Sequence, residues 1–235
     1  MRIDKYLSYA LNITRSNINK FIKDNDIKVN GIRVIKKDFK VDENIDEIYV
    51  NDKKLEYRKF VYYMLNKPSN LVCSRYDNVN DTIYSLFPCD KYELSSIGRL
   101  DKDTEGLLII TNDGALNHYL TSPNNHVNKK YYVTIDDELT NEEMKEFENG
   151  IKIKDGKDVD FITKKAIIEK IGDKKYYVTI SEGKFHQIKR MFLYFNKNVT
   201  YLKRISFGNL VLDENLKLGE YRYLTTLEIE ELKKL

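Results

Sequence analysis

Apolar and polar positions follow two different periods along this chain, and the change between them divides it. Ile3, Leu7 and Leu11 recur every four residues, which predicts a short amphipathic helix from Ile3 to Leu11. Thr14 stands where it can cap a second helix, whose buried stripe is Ile18, Phe21 and Ile22. Ile27 to Val34 alternates about Asn30-Gly31, a strong two-residue hairpin signal, and Ile45 to Val50 alternates again. Residues 51–60 are polar and charged, which places a domain boundary there and gives domains 1–58 and 59–235.

Past that boundary the pattern becomes strand-rich. Val61 to Leu65 reads as a buried strand, stopped by Asn66-Lys67-Pro68 and resumed by Leu71-Val72-Cys73. Thr82 to Phe87 and Gly114 to Thr121 read as short helices. Between them, a charged, turn-prone segment from Gly98 to Gly106 runs into the apolar Leu107 to Ile110, and Asn112-Asp113-Gly114 closes the stretch. Lys129 to Ile135 alternates as a strand. Asn141 to Asn149 is expected to be a helix with Met144 and Phe147 inward, stopped by Gly150. Phe161 to Ile171 and Lys175 to Ile180 are expected to be neighbouring strands. Glu182 to Asn196 is expected to be a helix after a turn at Gly183, with Ile188, Met191, Phe192 and Phe195 as its buried stripe. Strands near Val199 to Phe207 and Glu220 to Leu224 and a helix from Thr226 complete the chain. The fold class expected is α+β.

Hydrophobic residues at 41% and 28 aromatics argue for a folded protein of 235 residues. The formal net charge of +3 hides a segregation: residues 1–40 hold ten Lys/Arg against four Asp/Glu, a net +6, leaving −3 for the rest. A basic N-terminal face without a membrane-type amphipathic helix points to nucleic acid ahead of membrane. No apolar run approaches the length of a membrane span, and Met-Arg-Ile-Asp-Lys-Tyr lacks the apolar core of a signal peptide, so a cytoplasmic location is expected. Cys73 and Cys89 are too few and too far apart for a disulfide framework or a zinc site. His118, His126 and His186 show no metal-ligand spacing, so no metal is expected. None of the ten glycines forms a Gly-x-Gly pair, which argues against a cofactor-dependent methyltransferase.

Asp101 lies in a loop anchored by the strand that follows it, where a carboxylate can be positioned for chemistry. On a helix, Lys189 and Arg190 follow Ile188 by about 100° and 200° of rotation. Lys189 is therefore expected on the rim of the buried face, and Arg190 pointing away from it.

Arg2-Ile3-Asp4-Lys5-Tyr6-Leu7, Thr14-Arg15-Ser16 and Ile27-Lys28-Val29-Asn30-Gly31 resemble the S4-type RNA-binding domain. Four further segments keep their order along the chain: Leu65-Asn66-Lys67-Pro68, Gly98-Arg99-Leu100-Asp101, Leu120-Thr121-Ser122-Pro123 with Lys129-Lys130-Tyr131, and Glu182-Gly183-Lys184-Phe185-His186-Gln187-Ile188-Lys189-Arg190-Met191. Together they resemble the pseudouridine synthases of the RsuA type.

The resemblance implies a small N-terminal S4-like domain, then a catalytic domain with a mixed, mainly antiparallel sheet flanked by helices. It implies isomerisation of a uridine of 16S ribosomal RNA to its C-glycoside without metal, cofactor or energy source, with uridine-516 as the implied position. Asp101 would be the catalytic carboxylate, Tyr131 the active-site tyrosine and Lys189 the cation beside the carboxylate. A cation there keeps a buried carboxylate ionised, and a transiently bonded carboxylate suits a reaction that detaches, turns and rejoins a base. Extruding that base calls for an aromatic face, which Tyr131 can offer. Arg99 would fill the gap left in the RNA. Lys67, Lys129, His186, Gln187 and Arg190 in the second domain, and Arg2, Lys5, Arg15, Lys20 and Asn30 in the first, complete the expected RNA-contacting set. The partner implied is ribosomal RNA, free or within a partly assembled small subunit, met by a monomer and without a membrane. A large-subunit enzyme of the same family and a non-catalytic S4-type RNA-binding protein are the alternatives. The family usually has a glycine where this chain has Asn70; Asn tolerates a positive φ best among non-glycine residues, so the turn is expected to survive.

Overall fold

The computed structural model describes residues 1–11, 13–14, 16–43, 45–55, 57–87 and 93–235. The chain divides into two units, Met1–Phe60 and Val61–Leu235.

In the first unit, α1 (Ile3–Leu11) and α2 (Ile18–Asp24) accompany a four-stranded sheet of β1 (Ile27–Val29), β2 (Ile32–Arg33), β3 (Ile48–Val50) and β4 (Lys53–Lys54) in the order β2-β1-β3-β4. Ile3, Leu7, Ala10, Ile18, Ile22, Ile27, Val29 and Ile48 form its core. Asn30 (φ 50) and Gly31 (φ 80) make the turn between β1 and β2, whose left-handed angles Asn and Gly accept. Thr14 is not the cap of α2: the helix starts after Asn17, with no side-chain cap bond.

The second unit is built on β5 (Tyr62–Lys67), β6 (Ser95–Ile97), β7 (Glu105–Thr111), α3 (Gly114–Thr121), β8 (Lys129–Ile135), α4 (Asn141–Asn149), β9 (Lys152–Lys154), β10 (Asp160–Ile162), β11 (Ile167–Gly172), β12 (Lys175–Ile180), α5 (Gln187–Leu193), β13 (Val199–Phe207), β14 (Leu210–Val211), β15 (Tyr221–Tyr223) and α6 (Thr226–Lys233). Among the described residues, nine of these strands share one sheet, ordered β11-β12-β8-β13-β7-β5-β15, with β14 on β13 and β6 on β7. The β13–β7 pair is parallel and the other pairs in this sheet are antiparallel.

Both faces of the central strands are covered, which is why β7 reads as an unbroken apolar run. Tyr63, Leu65, Leu108 and Ile110 face one core with Phe147 of α4 and Ile188, Met191 and Phe192 of α5. Tyr62, Met64, Leu107 and Ile109 face the other, with Leu116 and Leu120 of α3 and Leu232 of α6. Gly106 is where β7 meets β13, at φ 100, and a Cβ there would overlap the Arg204 backbone.

Three expected elements come out differently. Leu71-Val72-Cys73 contributes only an isolated bridge, Val72 to Thr82, because residues 67–73 are bent around the Asp101 loop. Phe161 to Ile171 splits: β10 pairs with β9 as a separate ribbon, and β11 joins the main sheet. The helix expected from Glu182 begins only at Gln187, since His186 takes left-handed angles (φ 51) and breaks the run. Among the described residues no helix is long and apolar enough to cross a membrane.

Candidate active site

The loop carrying Asp101 is held from behind by its own fold. Lys67, at the end of β5, is fully buried, and its Nζ donates to the carbonyls of Pro68 (3.0 Å), Asp101 (3.1 Å), Lys102 (3.2 Å) and Thr104 (2.9 Å). Asn70, at φ 69, donates its backbone N–H to the Lys102 carbonyl at 2.8 Å, so the turn expected at this asparagine is present. The Leu100 N–H reaches Cys73 Sγ at 3.4 Å. Burial pulls the Lys67 ammonium below the ordinary lysine range and pushes the Cys73 thiol up. Lys67 therefore shapes the loop and is out of reach of RNA, which corrects the RNA-contacting role expected of it. A lysine with four carbonyl acceptors can be buried where an unsatisfied one could not.

Asp101 itself is about a quarter exposed and faces a small, open cleft. The cleft is lined by Arg99, Leu100, Thr104, Tyr131, Ile180, Gly183, Lys184, His186, Gln187, Ile188, Lys189 and Leu202 as well. Tyr131 is buried on β8 opposite Arg204 of β13, so its ring belongs to the rigid wall of the cleft. Lys189, in the first turn of α5, places Nζ 3.4 Å from Asp101 Oδ2 and 2.6 Å from Asp103 Oδ1. Burial works against the Asp103 charge, but its hydrogen bond to Lys189 and the nearby positive charge outweigh that and hold its carboxyl below the usual range. The other oxygen of Asp101 faces His186 Nε2 at 3.7 Å. One ammonium is thus divided between two carboxylates, with an imidazole on the far side of the one that opens on the cleft.

Further residues order this arrangement. Gln187 is buried; its Nε2 donates to Glu182 Oε1 at 2.7 Å and its Oε1 accepts from the Lys184 N–H at 3.0 Å, so it fixes the turn before α5. Phe185 stacks on His186 at 3.8 Å between ring centres. Arg190 donates to the Lys154 carbonyl at 2.6 Å and lies over the Phe185 ring, which ties α5 to the β9–β10 ribbon. Lys129 is half-buried at the start of β8 and is held by the Val127 carbonyl at 2.6 Å.

The structure brings Asp101, Tyr131, Lys189, Arg99, His186 and Gln187 to one cleft. The first unit's candidates are a separate matter: Arg2 and Lys5 line a groove with Tyr9, Asn19 and Lys37, while Lys20 is exposed. Asn30 is exposed but committed, its side chain bonded to Asp46 and to the Glu47 N–H at 2.8 Å each. Arg15 and Cys89 lie outside the described residues. Sequence reasoning missed Arg204, which is 1% exposed and donates Nε to the Leu107 carbonyl at 2.7 Å. Its signal was its parity with Leu202 on β13, a charge at a buried position. It also missed Thr104, whose buried Oγ1 has no hydrogen-bond partner among the described residues. Among the described residues no group of three or more His, Cys, Asp or Glu is placed to hold a metal ion.

Comparison with known proteins gives a consistent result. The family described as RNA pseudouridylate synthase matches residues 61–194, and the S4 domain matches residues 1–44. Ribosomal small subunit pseudouridine synthase A of Haemophilus influenzae is 40% identical over 236 residues, covering all of both chains. The protein of the same name from Escherichia coli strain K12 is 36% identical, covering 97% of this chain and 98% of its own. A solved structure titled as a crystal structure of pseudouridylate synthase superposes with a TM-score of 0.69 at 39% identity, covering 99% of each chain.

Proposed function

The chain belongs to the RNA pseudouridylate synthase family, with an S4 domain ahead of the catalytic one; from that premise we propose that it converts a uridine of small-subunit ribosomal RNA to pseudouridine, with Asp101 as nucleophile. The observation that carries this reading is the placement of Asp101, Lys189 and Tyr131 in one cleft whose remaining walls mix apolar residues, Leu100, Ile180, Ile188 and Leu202, with polar ones, Arg99, Lys184 and His186. The target position proposed is uridine-516.

In the reaction the N1–C1′ bond breaks, a C5–C1′ bond forms, C5 gives up a proton and N1 gains one, so atoms and electrons balance within the substrate. The base must leave its stack, at a cost of a few kcal/mol, and lie in the cleft against the Tyr131 ring. Arg99, which lines the cleft beside Leu100, fills the space the base vacates. The Asp101 carboxylate bonds transiently to the nucleotide while the base turns, and is released when carbon rejoins the sugar. Lys189, with Nζ 3.4 Å from Oδ2, faces that carboxylate with a positive charge, and the clamp from Lys67 keeps its backbone from yielding. The basic groove of the first unit meets phosphates and adds salt-sensitive, weakly sequence-dependent affinity.

The test is to map pseudouridines in rRNA from a strain lacking the gene and from the same strain complemented. The expected result is loss of one small-subunit pseudouridine, at position 516, and its return on complementation. Loss of a large-subunit pseudouridine instead, or of none, overturns the assignment.

A further inference from the structure

Beside Tyr131 lie two cations, Lys129 and Arg204, that form no ion pair among the described residues. Lys129 Nζ and the Arg204 guanidinium sit over the same ring, Phe207, at 5.4 and 5.5 Å from its centre. Neither forms a salt bridge among the described residues: Lys129 Nζ is bound to the Val127 carbonyl, and Arg204 Nε to that of Leu107. Arg204 Nη2 is buried with no hydrogen-bond partner among the described residues. The acidic group that acts on Lys129, Glu182, is already held by Gln187 Nε2 at 2.7 Å and the Lys164 N–H at 2.8 Å. Buried positive charges are ordinarily paired, and an orphaned guanidinium N–H costs about 1–3 kcal/mol, so two unpaired cations together mark a place for an anion.

We propose that the missing counter-ion is a phosphodiester of the substrate RNA, adjoining the nucleotide that lies against Tyr131. Lys129 and Tyr131 are two residues apart on β8, so their side chains leave the same side of the strand, and Tyr131 pairs directly with Arg204. An anion entering at Lys129 therefore arrives next to the cleft. Lys129 is the contacting group; Arg204, behind it, supplies fixed charge and the open hydrogen-bond valence. Burial and the Arg204 charge push the Lys129 ammonium down to about 8, the direction expected of a cation whose partner has yet to arrive. The identity of the anion rests on the function proposed above; the existence of the site does not.

Two arms test this on the full-length protein. In the first, the Lys129 side chain is titrated by NMR with and without inorganic phosphate, in wild type and in Arg204→Lys. Phosphate is expected to raise the Lys129 midpoint in both, and an unchanged midpoint overturns the anion site. In the second, binding is measured for RNA stem-loops around the target uridine in which each phosphate in turn is a neutral methylphosphonate, with wild type and with Lys129→Gln. One linkage next to the target is expected to cost wild type about tenfold in affinity and to cost Lys129→Gln nothing further, while other linkages weaken both alike. Equal losses in both proteins at every linkage overturn the RNA phosphodiester as occupant. Since the first arm uses no RNA, a wrong substrate assignment leaves its result standing.

Discussion

Lys67 and Lys129 are both lysines at the ends of central strands, both partly or fully removed from water, and they differ in what surrounds them. Around Lys67 the chain has closed four carbonyl oxygens, and nothing is left for a ligand to do. Around Lys129 it has placed a second cation, one carbonyl and a ring. The first arrangement fixes the shape of the Asp101 loop. The second leaves charge to be neutralised by whatever enters. Burial of a cation is thus uninformative by itself, and the census of its acceptors separates a structural lysine from a binding one.

The largest effect that sharpens this contrast is expected at Lys67. Lys67→Met removes the ammonium and strands carbonyls of residues 101–104, at a cost of roughly 3 kcal/mol and a Tm lower by about 6–12 °C. Thermal unfolding checks it; an unchanged Tm would mean that the clamp is ornamental. Lys129→Met is expected to behave in the opposite way, leaving Tm within about 2 °C of wild type or above it, while RNA affinity falls about tenfold. A smaller effect follows from pH. Lys129 titrates near 8 in the folded protein and near its ordinary value of about 10.4 when unfolded. Between those values the unfolded chain holds a proton that the folded one has lost, so this group makes stability rise with pH across that window. Urea unfolding at pH 8 and pH 10 is expected to show a rise that is smaller in Lys129→Met; equal pH dependence in the two proteins breaks the comparison. The smallest effect belongs to Asp103→Asn. It frees Lys189 from its closer partner, and as the carboxylate side chain is 68% exposed, stability should change by less than about 0.5 kcal/mol.

Much of this was legible beforehand because local chemistry and fold agree there. The apolar run of β7, the helices at Gly114–Thr121 and Asn141–Asn149 and the Asn30-Gly31 turn each follow from residues within a few positions of one another. The capping box of Thr140 and Glu143 gives α4 its start, and Asp113 caps α3 through the Leu116 N–H. Asn70 was legible as a left-handed turn for the same reason. What was not legible depends on contacts far apart in sequence. Lys67 reads as a basic residue in a motif, and only the approach of residues 101–104, more than thirty positions away, reveals it as internal. Helix α5 starts later than Glu182 because His186, stacked on Phe185, takes left-handed angles, and the Gln187 side chain bonds back to Glu182 and fixes the turn ahead of the first helical residue. Arg204 is hidden among the basic residues of β13, and its importance comes from Leu107 and Phe207 on either side.

Catalysis is assigned to the carboxylate of Asp101, and single-turnover assay of Asp101→Asn with the small-subunit rRNA proposed as substrate tests that assignment most directly. Asparagine keeps the shape of the side chain and removes its charge, so the variant is expected to fold, to bind the RNA and to form pseudouridine at least about a thousandfold more slowly than wild type. Turnover by that variant within about tenfold of wild type would contradict the central claim.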